Sequence, residues 1–318
     1  MTENNSPDLA LGTAPIGNQF AEVVEDAAQA VLEEAWSLGI RHFDTAPHYG
    51  LGLSERRLGA FLRTKPRDEF TVSTKIGRML VPSPELAGRL DDDGFAVPAT
   101  VRRVWDFSTD AVRRSLGESL ERLGLDGVDT LYIHDPERSD VGLGAALATS
   151  LPAVAALRDA GVVRRIGIGT MVADTVVTGA RTGLLDEVMI ASRLTLADSS
   201  ALDAAVPACA ESGVDVVAAA VFNSGLLAQN EPPAAARYDY QVAPPEVLER
   251  VRSITAVCRD HGVDLPTAAL HFPLRHGARV VVVGANAPGQ LTENRARLDT
   301  VVPDELWADL AEQGLAPA

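Results

Sequence analysis

Cysteine is almost missing from these 318 residues: there are two, Cys209 and Cys258, far apart and outside any C-x-x-C pair. Two such residues build no disulfide framework and cannot by themselves hold zinc, so a reducing compartment is expected. No run of about 18 apolar residues occurs, which excludes a membrane-spanning helix. The start, Met1-Thr-Glu-Asn-Asn-Ser-Pro-Asp8, lacks the basic-then-apolar pattern of a secretory signal, and a cytoplasmic protein is expected. Positive charge is also short, with 28 Lys and Arg against 44 Asp and Glu and a net charge of −16. That excess repels polyphosphate, so neither nucleic acid nor an anionic membrane is expected as a partner. Lysine occurs only at 65 and 75, and tyrosine only at 49, 132, 238 and 240. Where such rare residues stand is informative.

What is present reads as an ordinary globular chain, and its 46% apolar content excludes disordered, collagen-like and coiled-coil readings. Short β-rich runs alternate with helical patterns from end to end. Strands are expected at Leu9–Thr13, Ile40–Asp44, Phe70–Lys75, Val128–His134, Val163–Gly169, Val188–Ser192, Val214–Phe222 and Val280–Gly284. Helices are expected near Glu22–Leu38, at Ser54–Arg63, at Ser108–Leu123 with Ser108 as N-cap, around Leu151–Ala160, and at Pro303–Gln313. Strands each followed by a helix pair in parallel through right-handed crossovers. Eight of them favour a closed (β/α)8 barrel over an open doubly wound sheet. No linker divides the chain, so residues 1–318 are read as one domain with a C-terminal helix. Two long gaps, 77–107 and 229–245, are read as loops on the rim where such a barrel places its active site.

Chemistry is sought just past the strand ends. The second strand ends in Phe43-Asp44-Thr-Ala-Pro-His48-Tyr49, the third in Ser73-Thr-Lys75, and the fourth in Tyr132-Ile-His134-Asp135. Asp, Tyr, Lys and His thus reach one rim from three consecutive strands. A free phenol has a pKa near ~10 and exchanges protons poorly at neutrality. A nearby ammonium would favour the phenolate, and a buried carboxylate would hold that ammonium in place. Tyr49 then becomes the proton-transfer group, Lys75 and Asp44 its tuning pair, and His134 a hydrogen-bonding partner for a substrate oxygen. The plainer alternatives are a structural Asp–Lys pair and a core histidine. A rival takes His42, Asp44, His48 and His134-Asp135 as a metal site, a reading that leaves Tyr49 and Lys75 without roles.

The same residues carry a resemblance. Gly39-Ile-Arg-His-Phe-Asp44-Thr-Ala-Pro-His-Tyr49-Gly and Leu53-Ser-Glu-Arg-Arg-Leu-Gly59 resemble the signature of the aldo-keto reductase family. Thr74-Lys75, Leu123-Gly-Leu-Asp-Gly-Val-Asp129, Tyr132-Ile-His134 and Phe222-Asn-Ser-Gly-Leu-Leu-Ala228 follow in the family's order, then Gly284-Ala-Asn-Ala-Pro-Gly and Glu293-Asn294. Within that family the chain looks most like aldose 1-dehydrogenases acting on L-fucose or D-arabinose, with pyridoxal 4-dehydrogenase nearby. The resemblance implies the tetrad Asp44, Tyr49, Lys75 and His134, with no metal. It also implies a nicotinamide cofactor lying extended across the barrel mouth without a Rossmann fold.

By the same resemblance, Phe222 stacks on the nicotinamide, Ser224, Gly225 and Leu226 line the pyrophosphate, and Gly284, Asn286, Gln290 and Asn294 hold the adenosine end. Two departures stand out. Relatives often place an Asn after the fifth strand for the carboxamide, where this chain has Thr170-Met171. Many also carry a basic residue at position 286, where Asn286 favours NAD over NADP, with Arg295 and Arg297 close in sequence. The expected activity is interconversion of an alcohol or sugar hemiacetal with a carbonyl or lactone, the small-molecule substrate being a sugar, pyridoxal or a simple aldehyde. A general aldehyde reductase is the alternative enzyme, and a cofactor-bound sensor or subunit without turnover is the alternative of another class.

Overall fold

The fold is taken from a computed structural model that describes residues 8–86, 88–232 and 235–318. The N-terminal segment read above for a signal pattern lies, up to Pro7, outside the described residues. In chain order the strands are β1 (Asp8–Gly12), β2 (His42–Asp44), β3 (Thr71–Ile76), β4 (Arg78–Pro82), β5 (Val101–Trp105), β6 (Val128–His134), β7 (Val163–Thr170), β8 (Glu187–Ala191), β9 (Asp215–Ala219), β10 (Arg237–Tyr238), β11 (Gln241–Val242) and β12 (Ala278–Gly284). Eight of these pair in parallel and close in the order β1-β12-β9-β8-β7-β6-β3-β2. The expected (β/α)8 barrel is therefore what forms. Val280 to Val283 are all buried, as a strand covered on both faces requires.

Apolar residues alternate between two layers, as successive side chains of a strand must. Ala10, Tyr132, Met189, Val217, Val280 and Val282 fill the barrel interior. The larger layer lies between the strands and the surrounding helices α1 (Glu25–Ser37), α2 (Leu53–Leu62), α3 (Thr109–Leu123), α4 (Leu143–Asp159), α5 (Ala173–Ala180), α6 (Ala205–Ser212), α7 (Pro245–Asp260), α8 (Leu265–Arg275) and α9 (Gln290–Leu298). Ser108 caps α3 as expected, its hydroxyl accepting from Ala111 N. The C-terminal helix α10 (Asp304–Glu312) docks Trp307 against Phe272 and ties Asp309 to His261 at 2.7 Å.

Four expectations need correction. Residues 77–107 are not one loop: β4 and β5 pair antiparallel from Arg78↔Trp105 to Pro82↔Val101. Their prolines sit at the end of the ladder or beyond it, where no donor is lost. The 229–245 segment likewise carries a short β10–β11 pair. Helix α4 begins at Leu143 and runs through Pro152, while Thr149 and Ser150 hydroxyls donate to carbonyls of Ala145 and Ala146. Strand β9 stops at Ala219, because Ala220 turns into left-handed backbone at φ 51°.

Candidate active site

Each tetrad member is placed at the C-terminal rim by its strand register. Asp44 ends β2 opposite Ser73, Lys75 lies opposite Tyr132, and His134 ends β6 opposite Gly169. Lys75 Nζ donates to Asp44 Oδ2 at 2.6 Å, to Asp44 Oδ1 at 2.8 Å and to the Thr45 carbonyl at 2.9 Å. Ser73 donates to Asp44 Oδ1 at 2.7 Å. Tyr49 comes from the turn after β2, and Lys75 Nζ stands 4.8 Å from its ring centroid. The Tyr49 and His134 rings meet edge-on with centroids 6.1 Å apart.

The turn bearing Tyr49 is pinned from below. Gly50 adopts φ +61°, and a Cβ there would stand 2.2 Å from the Gly17 carbonyl oxygen, so only glycine fits. Ser54 at the start of α2 ties this turn to β1 and β2 through Thr13 and Thr45, at 2.7 and 2.9 Å. From above, Tyr49 stacks on Phe95 at 6.2 Å and packs with Leu51, Leu80 and Val97 in a small separate core. The segment between β4 and β5 thus buttresses the phenol.

Electrostatics fix the protonation states. Burial holds the His134 imidazole well below its usual range, helped by the cations of Arg78 and Lys75, so it is neutral at pH 7. His48 is lowered for the same reasons, burial first and Arg78 and Arg103 next. Burial also pulls Lys75 down, against the opposing pull of Asp44. Tyr49 departs from expectation: burial, then the carboxylates of Asp44 and Asp135, push its phenol well above 10. The physical reason is burial first: the phenol is desolvated, and the Asp44 carboxylate, although both its oxygens accept from Lys75, still raises it. At neutral pH Tyr49 therefore carries its proton.

The tetrad faces one cavity of about 960 Å³, large enough for an extended cofactor and a small substrate. Its wall includes groups that the sequence reading did not single out. Arg78, the first residue of β4, donates to the Asp135 carboxylate and lies 3.1 Å from His48 Nε2. Behind that wall, Arg103 of β5 holds two of its residues, donating to Asp91 at 2.6 and 3.1 Å and to the His48 carbonyl at 2.9 Å. Arg193, Asp239 and Tyr240 close another side. Among 26 arginines none could be picked out by rarity; only the position of Arg78, three residues past Lys75, hinted at the rim. The rival metal set is split. His42 lines a different cavity, at the N-terminal ends of the strands, and both Asp44 oxygens are engaged by Lys75 and Ser73.

Of the residues named for the cofactor, Thr170 and Gly284 line this cavity. Thr170 donates its hydroxyl to Glu137 at 2.7 Å. Phe222 is half-buried against the outer core, because the left-handed turn at Ala220 to Ser224 swings it off the strand line. Ser224 Oγ accepts from Tyr240 N, Gly225 is exposed, and Leu226 is buried with its N–H donated to the Asn223 carbonyl. Asn286 and Gln290 are exposed and tied together, Gln290 Oε1 accepting from Asn286 N at 2.9 Å. Asn294 is buried and accepts from Arg297 at 3.1 Å. The ends of β8 and β9 nonetheless fit a polar planar group. Among the described residues Ser192 Oγ and Asn223 Oδ1 are buried without partners, and Ser192, Ala220, Asn223 and Ser224 all hold positive φ.

Comparison with known proteins agrees with this geometry. A sequence profile described as the aldo/keto reductase family matches residues 8–313. D-threo-aldose 1-dehydrogenase of a Pseudomonas species is 52% identical over 98% of this chain and 95% of its own. Pyridoxal 4-dehydrogenase of Microbacterium luteolum is 35% identical over 96% and 94%. Among solved structures, a glycerol dehydrogenase from Gluconobacter oxydans superposes with a TM-score of 0.78 at 22% identity, covering 99% of this chain and 95% of that one. That last likeness concerns the fold alone.

Proposed function

The chain belongs to the aldo/keto reductase family of oxidoreductases, and from that premise we propose that it oxidises an aldose at C1 to the lactone, using NAD in preference to NADP. The observation that carries the reading is the meeting of a protonated phenol, a neutral imidazole and a buried Lys–Asp pair in one cavity. The 52% identical relative, a D-threo-aldose 1-dehydrogenase, supports the substrate class. Pyridoxal and simple aldehydes remain the substrates to compare.

A bound nicotinamide supplies the acceptor for the hydride that leaves C1 with its electron pair. The rest falls to this chain's side chains. His134, neutral, donates a hydrogen bond to the substrate oxygen and fixes its position. Tyr49 holds or takes the proton at that oxygen. Lys75 anchors the phenol's surroundings, and Asp44 keeps Lys75 in place. Because the phenol is pushed upward, the site at neutral pH is set to donate a proton, and oxidation needs the rarer phenolate.

Two features support NAD. Asn286 offers no cation for a 2′-phosphate. Glu34 of α1 covers the first turn of α9, accepting from Gly289 N at 3.0 Å, Thr292 N at 3.1 Å and Thr292 Oγ1 at 2.6 Å. A phosphate near that turn would meet a fixed carboxylate where helix N–H groups usually attract anions. Arg295 and Arg297 are engaged with Asp299 and Asp264. The test is steady-state kinetics of aldoses, pyridoxal and short aldehydes with both cofactors, read as absorbance of reduced nicotinamide. Aldose oxidation with a higher kcat/KM for NAD is the expected result. Turnover of pyridoxal or aldehydes only, or a higher kcat/KM for NADP, would refute the corresponding part.

A further inference from the structure

We propose that Arg78 and Asp135, with His48 beside them, read the hydroxyl groups on the carbons next to the reacting one and thereby select polyhydroxylated substrates. The inference rests on the aldose reading above and deepens it. Gly77 alone separates β3 from β4, and its φ of +107° turns the chain so that Arg78 projects at the rim beside the tetrad. A Cβ at Gly77 would meet Phe107 at 2.4 Å, so this reversal is fixed by packing as well as by backbone. Asp135 follows His134 directly and holds φ 42°, a strained conformation for a residue with a side chain. Both residues are buried, at 4% and 7% exposure, yet both line the cavity.

The chemistry of the cluster points to a neutral polyol. Arg78 gives one nitrogen to Asp135 and another faces His48, while its buried Nε has no partner among the described residues. Burial and the surrounding cations keep His48 neutral; the ring nitrogen that faces Arg78 accepts from it, so the other carries the N–H and is left as a donor. Arg78 and Asp135 offset each other, and so do the next charges out, Arg138 3.8 Å from Asp135 and Asp93 4.0 Å from Arg78, so the cluster holds no excess charge to attract a phosphorylated or carboxylated substrate. A hydroxyl both donates and accepts, and a guanidinium next to a carboxylate answers both needs at once. The His48 ring centroid lies 5.6 Å from that of His134 and 5.9 Å from that of Tyr49. That separation spans a few carbons from the reacting oxygen. A substrate lacking these hydroxyls would leave buried polar groups unanswered, which is how such sites reject analogues.

The test compares wild type, Arg78→Gln, Arg78→Lys and Asp135→Asn on an aldose and on its 2-deoxy and 3-deoxy analogues, with NAD. Each variant's affinity for NAD, from fluorescence titration, reports whether the barrel mouth is intact. Arg78→Gln and Asp135→Asn should lower kcat/KM for the aldose by about 10- to 100-fold, mainly through KM, as expected for a lost hydrogen bond to a charged group. The loss on at least one deoxy analogue should be smaller by tenfold or more, so that the preference for the hydroxylated substrate collapses. Arg78→Lys, which keeps the charge but not the fork, should recover only part of it. Equal losses on aldose and deoxy analogues would show a merely positional role and overturn the proposal, as would unchanged kcat/KM. A wild-type protein that oxidises no aldose would instead overturn the functional reading on which this one rests.

Discussion

Replacing Asp44 by Asn removes the anion that keeps a buried ammonium charged, and its cost can be worked out. Asp44 and Lys75 side chains are 3% and 2% exposed, joined by contacts of 2.6 and 2.8 Å. Breaking such a pair from one side costs about 3–5 kcal/mol, because the remaining charge is left buried and unpaired. Lys75 can escape part of that cost by losing its proton. Its pKa already lies below the usual 10.5 with the carboxylate present, and falls further without it. Between the folded and unfolded pKa the unfolded chain binds more protons, so stability of the variant rises with pH across that window. Asp44→Asn should therefore destabilise most near pH 6 and less near pH 9.5, measured as urea midpoints at constant slope. A second change, Lys75→Met, should restore most of the stability of Asp44→Asn while leaving it inactive. A loss under about 1 kcal/mol, or one that grows with pH, would refute the reasoning, since a buried pair cannot behave that way.

Tyr49→Phe should abolish most turnover and spare NAD affinity; near wild-type kcat would remove Tyr49 from the proton-transfer role. With the phenol held above 10, wild-type oxidation should accelerate from pH 7 to pH 9, and a maximum below pH 7 would contradict that assignment. His48 and His134 are both buried neutral, so below the usual value of 6.5 the unfolded chain binds more protons. Folding stability should then fall with decreasing pH, by up to about 1.4 kcal/mol per pH unit for each histidine. A flat urea midpoint from pH 6.5 to 5 would argue against it. Asn286→Arg with Glu34→Gln should raise kcat/KM for NADP relative to NAD by at least tenfold, and no change would place the cofactor's phosphate elsewhere.

The barrel was legible because its signals are periodic and redundant. Unbroken runs such as Val280 to Val283 belong to strands covered on both faces, and eight strands in parallel leave closure as the natural arrangement. What escaped was the β4–β5 hairpin. Arg78-Met-Leu-Val81 and Val101-Arg-Arg-Val-Trp105 are short, and between them lie Pro82, Pro84, Pro98 and Asp91 to Asp93, whose composition reads as loop. The ladder is stabilised by what it packs on, the Phe95, Leu80 and Leu51 cluster around Tyr49. Tertiary contacts of that kind leave no period in the sequence.

The site divides along the same line. Asp44, Tyr49, Lys75 and His134 could be found because each lies at or just past the C-terminal end of a strand and because lysine and tyrosine are scarce in this chain. The protonation state of Tyr49 could not, since it depends first on how deeply folding buries the phenol and then on the carboxylates of Asp44 and Asp135 near it. Proximity of an ammonium is a property of sequence order at the rim; burial of the phenol is a property of packing. The hairpin joins the two. It carries Arg78 to Asp135 and seats Phe95 on Tyr49, so one irregular segment both confines the proton-transfer group and supplies a polar cluster beside it. Selectivity and proton transfer are then mechanically linked: a change that loosens the β4–β5 ladder must disturb both, whereas a change at Asp135 alone can alter selection and leave the phenol seated.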